Sequence, residues 1–178
     1  MPATPSVKRA IATVEPAVVE GWLADLGLDV GDRVERDGIA SWDLVLDGRR
    51  RFDVRITLIL DPALALVAWV HYAPPLSDSF RRGYRRLLRW NDGFPFAKFA
   101  PAEDERPVLE AEIPVRWLER EELGLALARL LAICDLLLEE SASLVWLGGR
   151  MPSTAGRQSR GVGLLDRYRD QLGELTPG

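Results

Sequence analysis

At 178 residues, with one cysteine and one histidine, the chain excludes an internal disulfide, a cysteine-cluster metal site and a two-histidine metal site. Its formal charge of −4 is uneven: residues 1–140 carry 18 basic and 24 acidic side chains, residues 141–178 carry 5 and 3. An acidic body opposes general nucleic-acid binding, which rests on neutralising phosphates. A chain of this length buries roughly 70% of its unfolded surface, so one domain forms without a covalent or metal staple.

Residues 1–12, rich in Pro, Ala, Ser and Thr, are expected to be a flexible N-terminus. They lack the continuous apolar run of a secretory leader. A domain is expected over 13–140. Its first helix starts near Thr13 as N-cap, tolerates Pro16 in the first turn and stops at Gly27. Val18, Val19, Trp22, Leu23 and Leu26 fall on one helical stripe.

Trp42, Leu44 and Leu46 then alternate with Asp43 and Val45, and Asp47-Gly48 reads as a hairpin turn. Phe52 to Leu60 alternates as a strand with one dry and one wet face. After the turn Asp61-Pro62-Ala63, residues 64–72 are apolar on both faces, which implies a central position or a covered outer face. Ser77 or Asp78 is expected to cap a second helix with the stripe Phe80, Tyr84, Leu87 and Leu88, stopped by Asn91-Asp92-Gly93. Residues 94–100 and 108–113 form a last hairpin around the acidic loop at 103–105. A third helix is expected from about Trp117 to Glu140, apolar around much of its circumference and therefore buried on more than one side. Its longest apolar stretch is broken by Arg129 and Asp135 and falls short of the roughly 20 residues of a membrane span. A cytoplasmic protein is expected. Residues 141–178 read as a Gly/Arg/Ser-rich linker followed by a short amphipathic helix bearing Leu164, Leu165, Tyr168 and Leu172.

Few residues suggest chemistry. His71 lacks a local nucleophile and an orienting carboxylate, so a structural role is expected. Cys134 falls on the buried stripe of the third helix and reads as a packed thiol. Glu110 and Glu112 share one strand face, as the solvated face of an edge strand would. The strongest polar feature is the arginine face of the second helix: Arg81, Arg82, Arg85, Arg86 and Arg89. Like charges at i,i+4 repel, so an offsetting charge is expected, either from an acidic partner or phosphate or from Glu110, Glu112 or the acids at 119–122, within the chain or across a dimer.

The phrase Leu87-Leu88-Arg89-Trp90-Asn91, then Phe96-Ala97-Lys98-Phe99, then residues 108–114 resembles the YbjN-like family of sensory transduction regulators. The element order α-β-β-β-α-β-β-α is similar to that of class I type III secretion chaperones. The resemblance spans about 13–140. It implies an α+β fold, with a twisted antiparallel five-stranded sheet packed against helices. It also implies a homodimer that binds another polypeptide, with no catalytic residue carried over; no metal or cofactor is expected. Partner contacts are expected at Arg81, Arg82, Arg85, Arg89 and Trp69, with apolar dimer or groove surface at Leu125, Leu136 and Val67. The alternative is a small-ligand-binding protein or hydrolase that uses carboxylate and arginine groups in a cleft.

Overall fold

The structure is a computed structural model that describes residues 13–76 and 81–175. The expected N-terminal segment 1–12, the cap at Ser77 or Asp78, and Phe80 lie outside the described residues.

Helix α1 (Pro16–Asp25) is followed by strands β1 (Arg33–Arg36), β2 (Ile39–Leu46), β3 (Val54–Asp61) and β4 (Ala65–His71). Helix α2 (Arg81–Trp90) leads to β5 (Lys98–Pro101) and β6 (Pro107–Pro114). Helices α3 (Arg120–Leu136), α4 (Leu138–Val145), α5 (Val162–Arg167) and α6 (Arg169–Leu172) complete the described chain.

The sheet is antiparallel throughout, with order β1-β2-β3-β4-β6-β5. It has six strands where the sequence reading expected five. The additional strand is β1, whose four residues are all exposed, so no alternation of apolar and polar residues marks it. Asp37 and Gly38 join β1 to β2 with φ of 53° and 79°, the left-handed pair that a two-residue hairpin requires. Asp47-Gly48, the same dipeptide, is not such a turn. It opens a loop that runs to Asp53.

One face of the sheet is dry. Trp42, Leu44, Ile56, Leu58, Leu60, Leu66, Ala68, Val70, Leu109 and Ala111 are buried there, as the two-residue period of a strand demands. Helix α3 crosses this face against β4 and β6, and α1, α5 and α6 pack on α3. That explains why α3 is buried nearly all round: sheet on one side, helices on the others. Each fully buried Leu in this core stabilises the fold by about 1.5–3 kcal/mol. The expected third helix begins later than Trp117, which sits in a single 3₁₀ turn, Val115–Trp117, and it breaks at Leu137 before α4.

Among the described residues no helix covers the other face. Val67, Trp69 and His71 of β4 are half-buried there, beside Thr57 and Ile59 of β3 and Glu110 of β6. Strand β4 is central, hydrogen-bonded on both sides.

The segment after α4 returns to the β2–β3 loop. Asp47 is 1% exposed and accepts hydrogen bonds from Arg160 N, Nε and Nη2 at 3.0, 2.7 and 2.7 Å. Arg157 grips Asp53 through both terminal nitrogens, at 2.7 and 2.8 Å. Asp135, buried on α3, accepts from the backbone N–H groups of Arg49, Arg50 and Arg51. Gly161 packs so closely on the Asp47 carbonyl that no side chain fits between them.

Candidate functional site

Where β6 ends, the 3₁₀ turn and the start of α3 leave a groove of about 600 Å³. Ala111, Ile113, Pro114, Leu125 and Ala126 contribute its apolar lining, and Phe96 and Trp117 line it as well. Phe96 is 76% exposed and Trp117 59% exposed. Phe96 has φ 61°, a left-handed conformation that costs a bulky residue about 1–3 kcal/mol and tends to mark functional positions. Arg129 lies 5.2 Å from the Phe96 ring centroid, and Arg116 lies 4.1 Å from that of Trp117, within cation–π range. Burial pulls the Arg129 pKa down, partly opposed by Glu122, but a guanidinium remains charged at any physiological pH.

Glu112, Glu119 and Glu122 also line the groove and form no ion pair with another described residue. The groove is therefore apolar inside, with three carboxylates and the two arginines Arg116 and Arg129 around it. Leu125 is the one residue of the expected apolar set that lines it. Val67 lies on the open sheet face in register with Glu112, so that face adjoins the groove. Leu136 is exposed near the far end of α3. Phe96, Trp117, Arg116 and Arg129 were not singled out in the sequence as a site. The available signal was Gly93-Phe94-Pro95-Phe96, two aromatics in a turn-forming stretch.

Of the arginine face on α2, Arg82, Arg85 and Arg89 are exposed and make no ion pair with another described residue. Arg86 Nη1 donates to the Glu140 carbonyl at 2.8 Å. The side chain of Arg81 lies outside the described residues. Trp69 Nε1 donates to Glu110 Oε2 at 2.9 Å, so Glu110 is engaged on the sheet and does not reach the α2 arginines.

Both ring nitrogens of His71 are engaged. Thr57 Oγ1 donates its single proton to Asp43 Oδ1 at 2.6 Å. At 2.9 Å from Thr57 Oγ1, His71 Nε2 must therefore be the donor, which leaves Nδ1 to accept from Arg106 Nη1 at 3.2 Å. Burial and then the Arg106 charge lower the His71 pKa. The imidazole is neutral and held on both sides. Cys134 is fully buried, and burial pushes its thiol up to about 11. Among the described residues no cluster of three or more His, Cys, Asp or Glu is placed to hold a metal, and no helix is long and apolar enough to cross a membrane.

Curated proteins contain no match to the chain. The family model YbjN, described as "Putative bacterial sensory transduction regulator", matches residues 15–142, from the residue before α1 into α4. That span includes the groove and α2 and stops short of Arg157 and Arg160. With most of its length inside that match, the chain belongs to the YbjN family.

Proposed function

We propose that the chain is a non-enzymatic protein-binding module, with a chaperone-like or regulatory adaptor role, whose groove takes apolar side chains of a polypeptide. The observation that carries this reading is Phe96, an aromatic with a left-handed backbone that lines an apolar groove and is 76% exposed. A monomer seldom spends strain to keep a large apolar ring wet. The resemblance of the sequence to class I type III secretion chaperones supports this role, while the observed order adds strand β1 to the expected one.

Arg116 and Arg129 lie over the Trp117 and Phe96 rings. The three carboxylates that form no ion pair with another described residue, Glu112, Glu119 and Glu122, therefore favour an apolar side chain flanked by basic ones as the occupant. Helix α2 has that composition, with Leu88 62% exposed among Arg82, Arg85 and Arg89. A second copy offering α2 to the groove supplies the counter-charges that the arginines lack within the chain, and a homodimer in the cytoplasm is the assembly this implies. Arg81, Trp69, Val67 and Leu136 belong to the wider contact surface in this reading.

Mass in solution tests it. The expected species is twice the 19.9 kDa chain. Arg85→Glu is expected to give a monomer, and adding Glu122→Arg to restore the dimer. A wild-type monomer, or a dimer indifferent to Arg85→Glu, overturns the α2-to-groove arrangement.

A further inference from the structure

Arg51 is 5% exposed, and its guanidinium makes no ion pair with another described residue. Nη2 donates to the Tyr72 carbonyl, and the cation lies 4.3 Å from the Tyr72 ring centroid and 5.9 Å from that of Trp146. Nη1 is buried with no hydrogen-bond partner. The nearby carboxylates are committed elsewhere. Asp135 is occupied by three backbone N–H groups, Asp53 by Arg157 and Arg160, and Glu139 by Arg50. Ring faces and one carbonyl offset only part of what desolvating a full charge costs, and an unpaired N–H adds to the deficit.

Arg51 lines a cavity of about 230 Å³ between the β2–β3 loop and the α4 end of the molecule. Its charged lining is Arg50, Arg51, Arg55, Arg157 and Asp53, four cations against one anion, with neutral His71. Leu138, Trp146 and Pro152 supply apolar wall. Arg55 forms no ion pair with another described residue. Arg55 and His71 also line the adjoining hollow on the sheet's open face, together with Arg106, whose Nε is buried and likewise unpaired. Arginine binds oxygen anions through paired N–H donors, and Arg51 has one N–H unpaired and no carboxylate partner among the described residues.

We propose that this cavity binds a small oxyanion, a phosphate or carboxylate group, with Arg51 as its charge partner. The volume lies below the roughly 300–1,000 Å³ of drug-sized ligand sites, so the ligand is a compact anion and not a nucleotide. Three of the cationic lining residues come from the β2–β3 loop and β3, and the fourth from the segment after α4, so an anion here also bridges that segment to the sheet. The site is separate from the Phe96 groove, and either stands if the other fails.

The test is titration of the full chain with sodium phosphate and, separately, sodium benzoate. Chloride holds the ionic strength constant, and the readouts are calorimetric binding and the thermal midpoint. The expected result is saturable one-site binding of at least one anion, with the midpoint rising with its concentration. Phosphate alone identifies a phosphate ligand, benzoate alone a carboxylate, and both a general oxyanion site. Arg51→Met is expected to weaken binding at least tenfold. Thr154→Glu, on the cavity lining and away from the core, is expected to do the same by placing a fixed carboxylate in the cavity. It keeps the test decisive if Arg51→Met does not fold. No saturable binding of either anion, or undiminished binding in the folded variants, overturns the proposal.

Discussion

Arg160 holds Asp47 through Nε and Nη2, each at 2.7 Å, across 113 residues of chain. Burial alone would raise the Asp47 pKa. Hydrogen bonds from the Arg160 side chain and backbone and from the Asp53 N–H outweigh it and bring the carboxyl down to about 2. The lowered folded value means that this stability is fully present above the ordinary carboxylate pKa near 3.8 and is lost as pH falls through about 2. The shift corresponds to about 2 kcal/mol. Asp47→Asn is expected to cost about 2–3 kcal/mol at pH 7. In urea unfolding the gap between variant and wild type should close as the pH approaches 2. A gap that stays constant down to pH 2.5 would contradict this.

Gly124 in α3 opposes helix propensity to sterics. Propensity makes Gly→Ala favourable by up to about 1 kcal/mol in a helix interior. A Cβ here would instead stand 2.7 Å from Tyr168 Cζ and closer still to its hydroxyl, which donates to Glu121 Oε2. Overpacking of this kind costs about 1–3 kcal/mol. Gly124→Ala is therefore expected to lower the unfolding midpoint and to speed protease cleavage between residues 150 and 161, as α5 loses its seat. An unchanged or raised midpoint would show that Tyr168 does not pack as described.

Phe96 sets stability against function. Asn tolerates a left-handed backbone where Phe does not, and the exposed ring gives up little burial. Phe96→Asn is expected to raise stability by up to about 1 kcal/mol and to weaken partner binding or self-association. Denaturant midpoints and mass in solution read the two effects separately. A destabilised Phe96→Asn would place the ring's role in packing.

His71 is expected to be the neutral Nε2–H tautomer at pH 7, with its midpoint below 6.5. Because the folded state binds this proton more weakly than the unfolded state, the contribution is full above about 6.5 and declines as pH falls below it. A long-range proton–nitrogen spectrum distinguishes the tautomers. An Nδ1–H or charged ring at pH 7 would break the Asp43–Thr57–His71–Arg106 chain.

How far the fold could be read in advance depended on whether its signal was local. Trp42, Leu44 and Leu46 alternate, so β2 was legible. Arg33 to Arg36 lie at an exposed edge with nothing to alternate, so β1 was not, and the five-strand count followed. Its one local mark, Asp37-Gly38, stood beside Asp47-Gly48, which has the same chemistry and a different fate. What separates the two dipeptides is Arg160, which buries Asp47 from the far end of the chain. The linker-like composition of 150–161 likewise carries no hint that Arg157 and Arg160 meet Asp53 and Asp47. Leu125 was found because helical periodicity marked it as surplus apolar surface. Phe96 and Trp117 were not, since exposure in a turn leaves no periodicity.

The most direct test of the protein-binding reading is photocrosslinking in cells, with p-benzoylphenylalanine at position 96. The control places the same residue at Leu64, an apolar side chain 67% exposed in the β3–β4 turn and outside the groove. The expected result is a discrete polypeptide adduct from position 96 and none from position 64. A mass near twice 19.9 kDa identifies a second copy, and any other mass a different partner. No adduct at position 96, or the same background at both positions, would contradict the reading.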